Sequence, residues 1–303
     1  MKKIGLALGG GFVRGAAHVG AIKVLEEYGI RPQMIAGTSA GSMVGALYAA
    51  GWSVSELEKL VLSLRAGMFI DEFAAVENFF VMTARLFFDF VHIPSPFRSP
   101  LGLMRGTKLE RFIKEKLKNI KFENGHTELA ITTVDINCGT KVIFLSRHTR
   151  QRLRAMRDQV FISGIPVWEA VRASTAVPGI FEPKRVKDYL LVDGGLRENV
   201  PAQVLKAMGA DAVIAIDLGN NGEECRKLRN IIDVMGQTID IIRTDALEYV
   251  LDGNADVRVQ PLLKGVGAWD FEKIPSIIAQ GEYATRQALP DILRVCGINS
   301  VRK

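Results

Sequence analysis

Gly37-Thr38-Ser39-Ala40-Gly41 is a G-x-S-x-G pentapeptide. Between a strand and a helix such a pentapeptide forms a sharp turn that exposes the serine hydroxyl. The helix N-terminus that follows offers free N–H groups and the positive end of a dipole to developing negative charge. Ser39 is therefore the candidate nucleophile for acyl transfer. A second element, Gly9-Gly10-Gly11-Phe12-Val13-Arg14-Gly15, follows the first apolar run of the chain. A glycine-rich turn presents backbone N–H groups with no side chain in the way, which suits a pyrophosphate or an oxyanion equally. The dinucleotide fingerprint G-x-G-x-x-G is not met, since counting from Gly9 puts Arg14 where the last glycine belongs, and no G-x-x-x-x-G-K-[ST] loop occurs.

Ser39 needs a base. The histidines are His18, His92, His126 and His148, and none follows Asp193 or Asp217 as the Ser–acid–His order of an α/β-hydrolase requires. A carboxylate acting directly is the economical alternative. Asp193 leads, because it ends the apolar run Tyr189-Leu190-Leu191-Val192 ahead of Gly194-Gly195, and ligand sites of parallel sheets form at strand C-termini. Asp217, which ends Ala212–Ile216, is the rival, and Asp135 a weaker one. Cys138, Cys225 and Cys296 are far apart with no C-x-x-C pair, and no H-E-x-x-H occurs. The chain thus carries no metal, cofactor or disulfide signature, and a reducing, cytoplasmic compartment fits it.

The elements that must position these groups follow from the apolar pattern. Lys3–Leu8, Gln33–Ala36, Leu129–Val134, Val142–Leu145, Leu190–Asp193, Ala212–Asp217 and Val257–Leu262 read as strands. Helices are expected over Ala16–Tyr28, closed by Gly29, and over Ala40–Ala50, closed by Gly51. Ser53 with Glu56 and Thr107 with Glu110 have the spacing of capping boxes that open two more. Apolar strands separated by helices predict a three-layer αβα fold with a mainly parallel central sheet. With 303 residues, 48% of them apolar and 24% charged, the chain is neither disordered nor short of a core. Pro32–Ser55 holds no charge over 24 positions, but its glycines favour strand, turn and buried helix over a membrane span.

Two stretches point outward. Eight of the 15 phenylalanines lie between Phe69 and Phe97. The segment 67–105 reads as a lid-like insertion, or as a pair of helices supplying core aromatics. Adjacent pairs such as Phe79–Phe80 cannot both face inward on one helix, so some rings should be exposed. Residues 98–158 hold 14 Lys/Arg against 6 Asp/Glu, more than the whole net charge of +6. An anionic partner, such as lipid head groups, nucleic acid or an acidic protein, would complement that stretch.

Leu8–Glu27, GTSAGS at Gly37–Ser42, RASTAVPGIFEP at Arg172–Pro183 and LVDGGLRENVP at Leu191–Pro201 together resemble the patatin-like phospholipase family of bacterial type. The resemblance covers a core of about residues 3–220 in a single domain, 1–303, whose 221–303 part is expected to be largely helical with one strand. It implies a serine acyl hydrolase acting on fatty acyl esters of lipids through a Ser39–Asp193 dyad and an acyl-enzyme. It also implies an oxyanion hole from Gly10, Gly11 and the next N–H, that of Phe12. No cofactor is implied, and the partners would be lipid and an anionic membrane surface rather than nucleic acid. The family usually has glycine at position 12, so Phe12 would be strained if the turn needs a positive φ there, and its ring could narrow the acyl pocket. Arg14 is expected to hold the loop. The alternatives are a catalytically silent lipid-binding protein and a basic nucleotide- or nucleic-acid-binding protein.

Overall fold

The computed structural model describes residues 2–96, 99–123, 125, 127–154, 158–219, 234, 236–238, 241 and 251–298, with the backbone alone for 72–75. In chain order the elements are β1 (Ile4–Leu8), α1 (Ala17–Glu27), β2 (Met34–Gly37), α2 (Ala40–Ala49), α3 (Val54–Ser63), α4 (Glu72–Phe90), β3 (Gly102–Met104), α5 (Thr107–Leu117) and β4 (Glu128–Asp135). There follow β5 (Lys141–Leu145), α6 (Arg147–Arg152), β6 (Gln159–Ile162), α7 (Val167–Ser174), β7 (Gly179–Phe181), β8 (Lys184–Val186), β9 (Tyr189–Asp193), α8 (Ala202–Met208), β10 (Ala212–Ile216), β11 (Val257–Val259) and α9 (Ile274–Cys296).

The main sheet runs β11-β10-β1-β2-β4-β5-β6, with β8 and β9 attached. The five strands from β11 to β4 are parallel, and β5 turns antiparallel against β4. Side chains alternate across it. Leu6, Leu8, Ile35, Ile131, Phe144, Ile214 and Ile216 pack into the larger core with α1, α2, α5, α7 and α9. Ala7, Ala36, Ala130, Val213 and Ala215 face the opposite layer, where α8 covers them. This is the three-layer α/β fold expected.

One register fact positions the site. β5 fills one edge of β4 along Ala130–Val134. The other edge is shared: β2 pairs with Glu128–Ile131, and β9, running the opposite way, pairs with Thr133–Asp135. β2 ends at Gly37 opposite Ile131, and β9 ends at Asp193 opposite Thr133. Two strands thus point their C-termini at each other across Thr132, with roughly 7 Å of strand rise between the facing positions.

Several local expectations need correction. The Ser53–Glu56 box forms, but the Thr107–Glu110 box does not. Gly106, in the left-handed region, is the N-cap of α5, and the Asp71 carboxylate caps the helix by accepting the Thr107 and Lys108 N–H groups at 2.8 and 3.0 Å. A remote carboxylate thereby satisfies the free donors of the first turn. The last predicted strand stops at Val259 rather than Leu262. β3, β6, β7 and β8, each three or four residues long, are too short to announce themselves by periodicity. Residues 220–250 lie almost wholly outside the described ones, so only β11 and α9 of the 221–303 extension can be set beside its expectation.

The phenylalanine-rich segment forms one long helix, α4, rather than a pair, and of its described phenylalanine side chains only Phe69, ahead of the helix, is buried in the core. Val76, Phe79, Phe80, Leu86, Phe87 and Phe90 lie on one helical stripe and are exposed, the four phenylalanines to between 58% and 81%. Thr83, the polar residue of that stripe, donates its hydroxyl to the Phe79 and Phe80 carbonyls. Across the helix, the Asn78 amide donates to the Gly102 and Leu103 carbonyls and ties α4 to β3. No described helix is long and apolar enough to cross a membrane.

Candidate active site

Ser39 occupies the turn between β2 and α2 with φ 52° and ψ −120°, a strained conformation for a side-chain-bearing residue. The turn closes only around small residues: a Cβ on Gly41 would drive into the Leu8 carbonyl of the neighbouring strand. The Ser39 N–H is held by Ser174 Oγ at 2.8 Å, and the Ser174 hydroxyl donates in turn to the Thr132 carbonyl at 2.8 Å. Beside it, Thr38 Oγ1 lies 2.5 Å from Thr132 Oγ1. Thr132 is therefore the hinge between the two strand ends. Among the described residues the Ser39 hydroxyl itself makes no hydrogen bond, and Ser39 lies in the wall of a cavity.

Asp193 arrives from the other side. It is buried at the end of β9, its N–H donates to the Ala176 carbonyl at 3.0 Å, and its Oδ1 accepts the Gly195 N–H at 2.8 Å. The next residue, Gly194, sits so close to Thr132 that a Cβ there would lie 2.5 Å from its carbonyl oxygen. The rival acids are engaged elsewhere. Asp217 Oδ2 accepts from Arg258 (2.8 Å from Nη2) and Gln260 (2.9 Å), and its Oδ1 accepts the Gly219 N–H. Asp135 is engaged by its own turn and by β9, accepting from the Asn137 and Leu190 N–H groups. His18 is fully buried, and desolvation pushes its imidazole down to about 4. It is neutral near pH 7, with Nε2 donating to the Gly9 carbonyl at 2.8 Å. His92 and His148 stand at the exposed end of α4 and on α6, and His126 lies outside the described residues.

The glycine loop is pinned carbonyl by carbonyl. His18 holds that of Gly9, the Asn199 amide approaches that of Gly10 at 3.4 Å, and Arg14 Nε holds that of Gly11 at 3.3 Å. In a trans peptide the N–H points away from its carbonyl, so each pin aims the next N–H. The Gly10 N–H meets the Asn199 carbonyl at 3.3 Å, whereas no described residue accepts the Gly11 or Phe12 N–H. Of the three donors expected, two are open. The loop approaches the nucleophile closely, for a Cβ on Gly10 would lie 3.1 Å from Ser39 Cβ. Phe12 does adopt a positive φ, 51°.

The cavity beside Ser39 measures about 150 Å³ and is apolar: apart from Ser39 and Thr175, its lining residues are hydrophobic or glycine. Most come from α2, α3, α5 and residues 268–274, with Phe12, Phe69, Thr175 and Phe181 among the rest. Among the described residues no group of three His, Cys, Asp or Glu side chains could hold a metal ion. Ser174, Thr132 and Asn199 were missed as site residues by sequence reasoning. Ser174 stood within the RASTAVPG stretch, where its neighbours alone give it no role.

A family model described as patatin-like phospholipase matches residues 6–206. The lysophospholipase nte1 of Aspergillus fumigatus is 30% identical over 312 residues, covering 95% of this chain and 18% of that protein. Patatin-like phospholipase domain-containing protein 6 of Mus musculus is 31% identical over 222 residues, covering 73% of this chain and 14% of that protein. This chain thus spans less than a fifth of the length of either. Among solved structures, VipD from Legionella pneumophila superposes with a TM-score of 0.52 at 15% identity, over 95% of this chain and 66% of that one.

Proposed function

Since this chain belongs to the patatin-like phospholipase family, we propose that it is a serine acyl hydrolase cleaving fatty acyl esters of lipids, with Ser39 as nucleophile and Asp193 as base. The observation that carries this reading is the head-on meeting of β2 and β9 at Thr132, beside an apolar cavity that has Ser39 in its wall. The cavity takes the acyl chain and the ester carbonyl lies over Ser39. The Ser39 hydroxyl turns to Asp193, which takes its proton as Oγ attacks the carbonyl carbon. The oxyanion forms against the N–H groups of Gly11 and Phe12 in the Gly10–Phe12 loop; loss of one such donor typically costs ~10²–10³ in rate. Collapse expels the alcohol, which leaves with the proton from Asp193. Water then gives a proton to Asp193 and attacks the acyl-enzyme, and Ser39 leaves with that proton as the fatty acid is released.

A peripheral seat on an anionic membrane belongs to the same reading. The exposed stripe of α4 offers apolar area to the acyl region, and its Thr83 hydroxyl is already satisfied within the helix. Helix α5, the next helix in sequence and tethered to its start by Asp71, exposes Lys108, Arg111 and Lys114, and Lys118 is exposed at its C-cap. Cys138 and Cys296 are free thiols, in keeping with a reducing, cytoplasmic setting.

A fluorophosphonate probe tests the nucleophile: labelling of the wild type, lost in Ser39→Ala, is expected, and Asp193→Asn should stay folded while hydrolysing no ester. A folded wild type that resists labelling would instead favour a lipid-binding role without catalysis. For the membrane, a Phe79→Ser, Phe80→Ser, Phe87→Ser, Phe90→Ser variant should stop co-sedimenting with phosphatidylglycerol vesicles yet hydrolyse a soluble ester at the wild-type rate.

A further inference from the structure

Phe12 holds a backbone conformation that glycine adopts freely and a bulky residue does not. Such a residue persists only where its surroundings over-determine it. Those surroundings come from the far end of the chain. The Val13 N–H donates to the Ala268 carbonyl at 3.4 Å, and the Phe12 ring packs against Trp269 with centroids 5.7 Å apart. Trp269 is braced without help from Phe12. It meets Phe271 at 6.2 Å; Phe271 stacks on Phe69 at 5.8 Å, and Phe69 meets Phe112 edge-on at 5.3 Å. The turn that carries Trp269 is closed by Asp270, whose Oδ2 accepts the Gly267 N–H at 2.9 Å and Lys273 Nζ at 2.8 Å. Lys273 also donates to the Gly265 carbonyl at 2.7 Å. Helix α9 then anchors the turn to the body, crossing α1 where Gly20 and Gly281 let the two backbones touch. Ala268, Trp269, Asp270, Phe271, Lys273 and helix α9 lie beyond the residues 6–206 that the family model matches, whereas Phe69, Phe112 and α1, against which they pack, lie within them.

Resting on the acyl-hydrolase reading, we propose that Trp269 is a positioning residue for the oxyanion loop. Its ring, fixed by the aromatic row and the Asp270–Lys273 turn, keeps Phe12 in the left-handed region. The Phe12 N–H thereby stays aimed toward the carbonyl oxygen that Ser39 converts into an oxyanion. A relative with glycine at this position needs no such buttress.

The test is a double-mutant cycle with the full chain, read on p-nitrophenyl butyrate. Trp269→Leu keeps an apolar side chain but loses the ring face, and should lower kcat about tenfold, ~1.4 kcal/mol, with KM within about twofold of wild type. In a Phe12→Gly background the same substitution should change kcat less than about twofold, because glycine needs nothing to hold it. Trp269→Phe should retain most of the activity. An equal loss in both backgrounds, or a loss confined to KM, overturns the proposal by reducing Trp269 to a piece of cavity wall. Urea unfolding of the same four proteins reads the coupling without catalysis, and additive midpoint shifts would also overturn it. A folded wild type inert to fluorophosphonate refutes the hydrolase reading instead, and the unfolding cycle then judges the Phe12–Trp269 coupling alone.

Discussion

Ser174 carries the geometry of the elbow through one hydroxyl, so Ser174→Ala isolates it. The hydroxyl accepts the Ser39 N–H and donates to the Thr132 carbonyl, both at 2.8 Å, and all three residues are buried. Truncation leaves one donor and one acceptor without this partner in a place water does not reach. At ~1–3 kcal/mol for each of the two unsatisfied groups, the expected loss of stability is about 2–6 kcal/mol. With m about 3 kcal/mol/M in urea, that lowers the unfolding midpoint by about 1–2 M. Function should suffer more sharply than stability. Ser39 is held at φ 52°, and a strained conformation of this kind stores ~1–3 kcal/mol. Without its tether the turn relaxes, and a bias of about 2 kcal/mol leaves roughly thirtyfold fewer molecules with the hydroxyl in place. The fluorophosphonate labelling rate of folded Ser174→Ala, measured at low urea beside the wild type, should fall by that order. A variant that unfolds within about 0.5 kcal/mol of wild type and labels at the wild-type rate would refute the argument that this bond sets the elbow.

Asp217→Asn should lose stability by about 1–3 kcal/mol, since the amide carries no charge for Arg258 and has one acceptor oxygen where the carboxylate uses two, for Arg258 with Gln260 and for the Gly219 N–H, yet keep labelling at Ser39; a stable but unreactive Asp217→Asn would move the base to that residue. His18 has a folded pKa near 4 against an ordinary 6.5, so the unfolded chain takes up its proton first. The associated stability is whole above pH 6.5 and is lost as pH falls toward 4, about 3 kcal/mol in full. Urea melts at pH 7 and pH 4.5 should therefore show a drop about 2–3 kcal/mol larger in wild type than in His18→Gln. Gly41→Ala should yield no stable protein, because the added methyl meets backbone rather than a movable side chain; a soluble, cooperatively melting Gly41→Ala would contradict the close packing of α2 on β1.

Local chemistry was legible in the chain because it is written within a few residues. The pentapeptide around Ser39, the glycine loop with its pinning Arg14, and the strand end at Asp193 each depend on side-chain size and the allowed φ of immediate neighbours. The alternation of apolar positions was likewise enough to predict a layered α/β fold, since period two and period 3.6 are local properties. Long-range register is different. Nothing near Asp193 says that β9 shares an edge of β4 with β2, or that Asp217 is taken up by Arg258 on a later strand. Asp71 caps α5 from 36 residues away, a partnership that the Thr107–Glu110 spacing concealed by imitating a local one. The exposed stripe of α4 and the Trp269 buttress belong to the same class. Spacing along a chain records which residues can share a face, whereas which face meets which neighbour is settled by packing summed over the whole molecule.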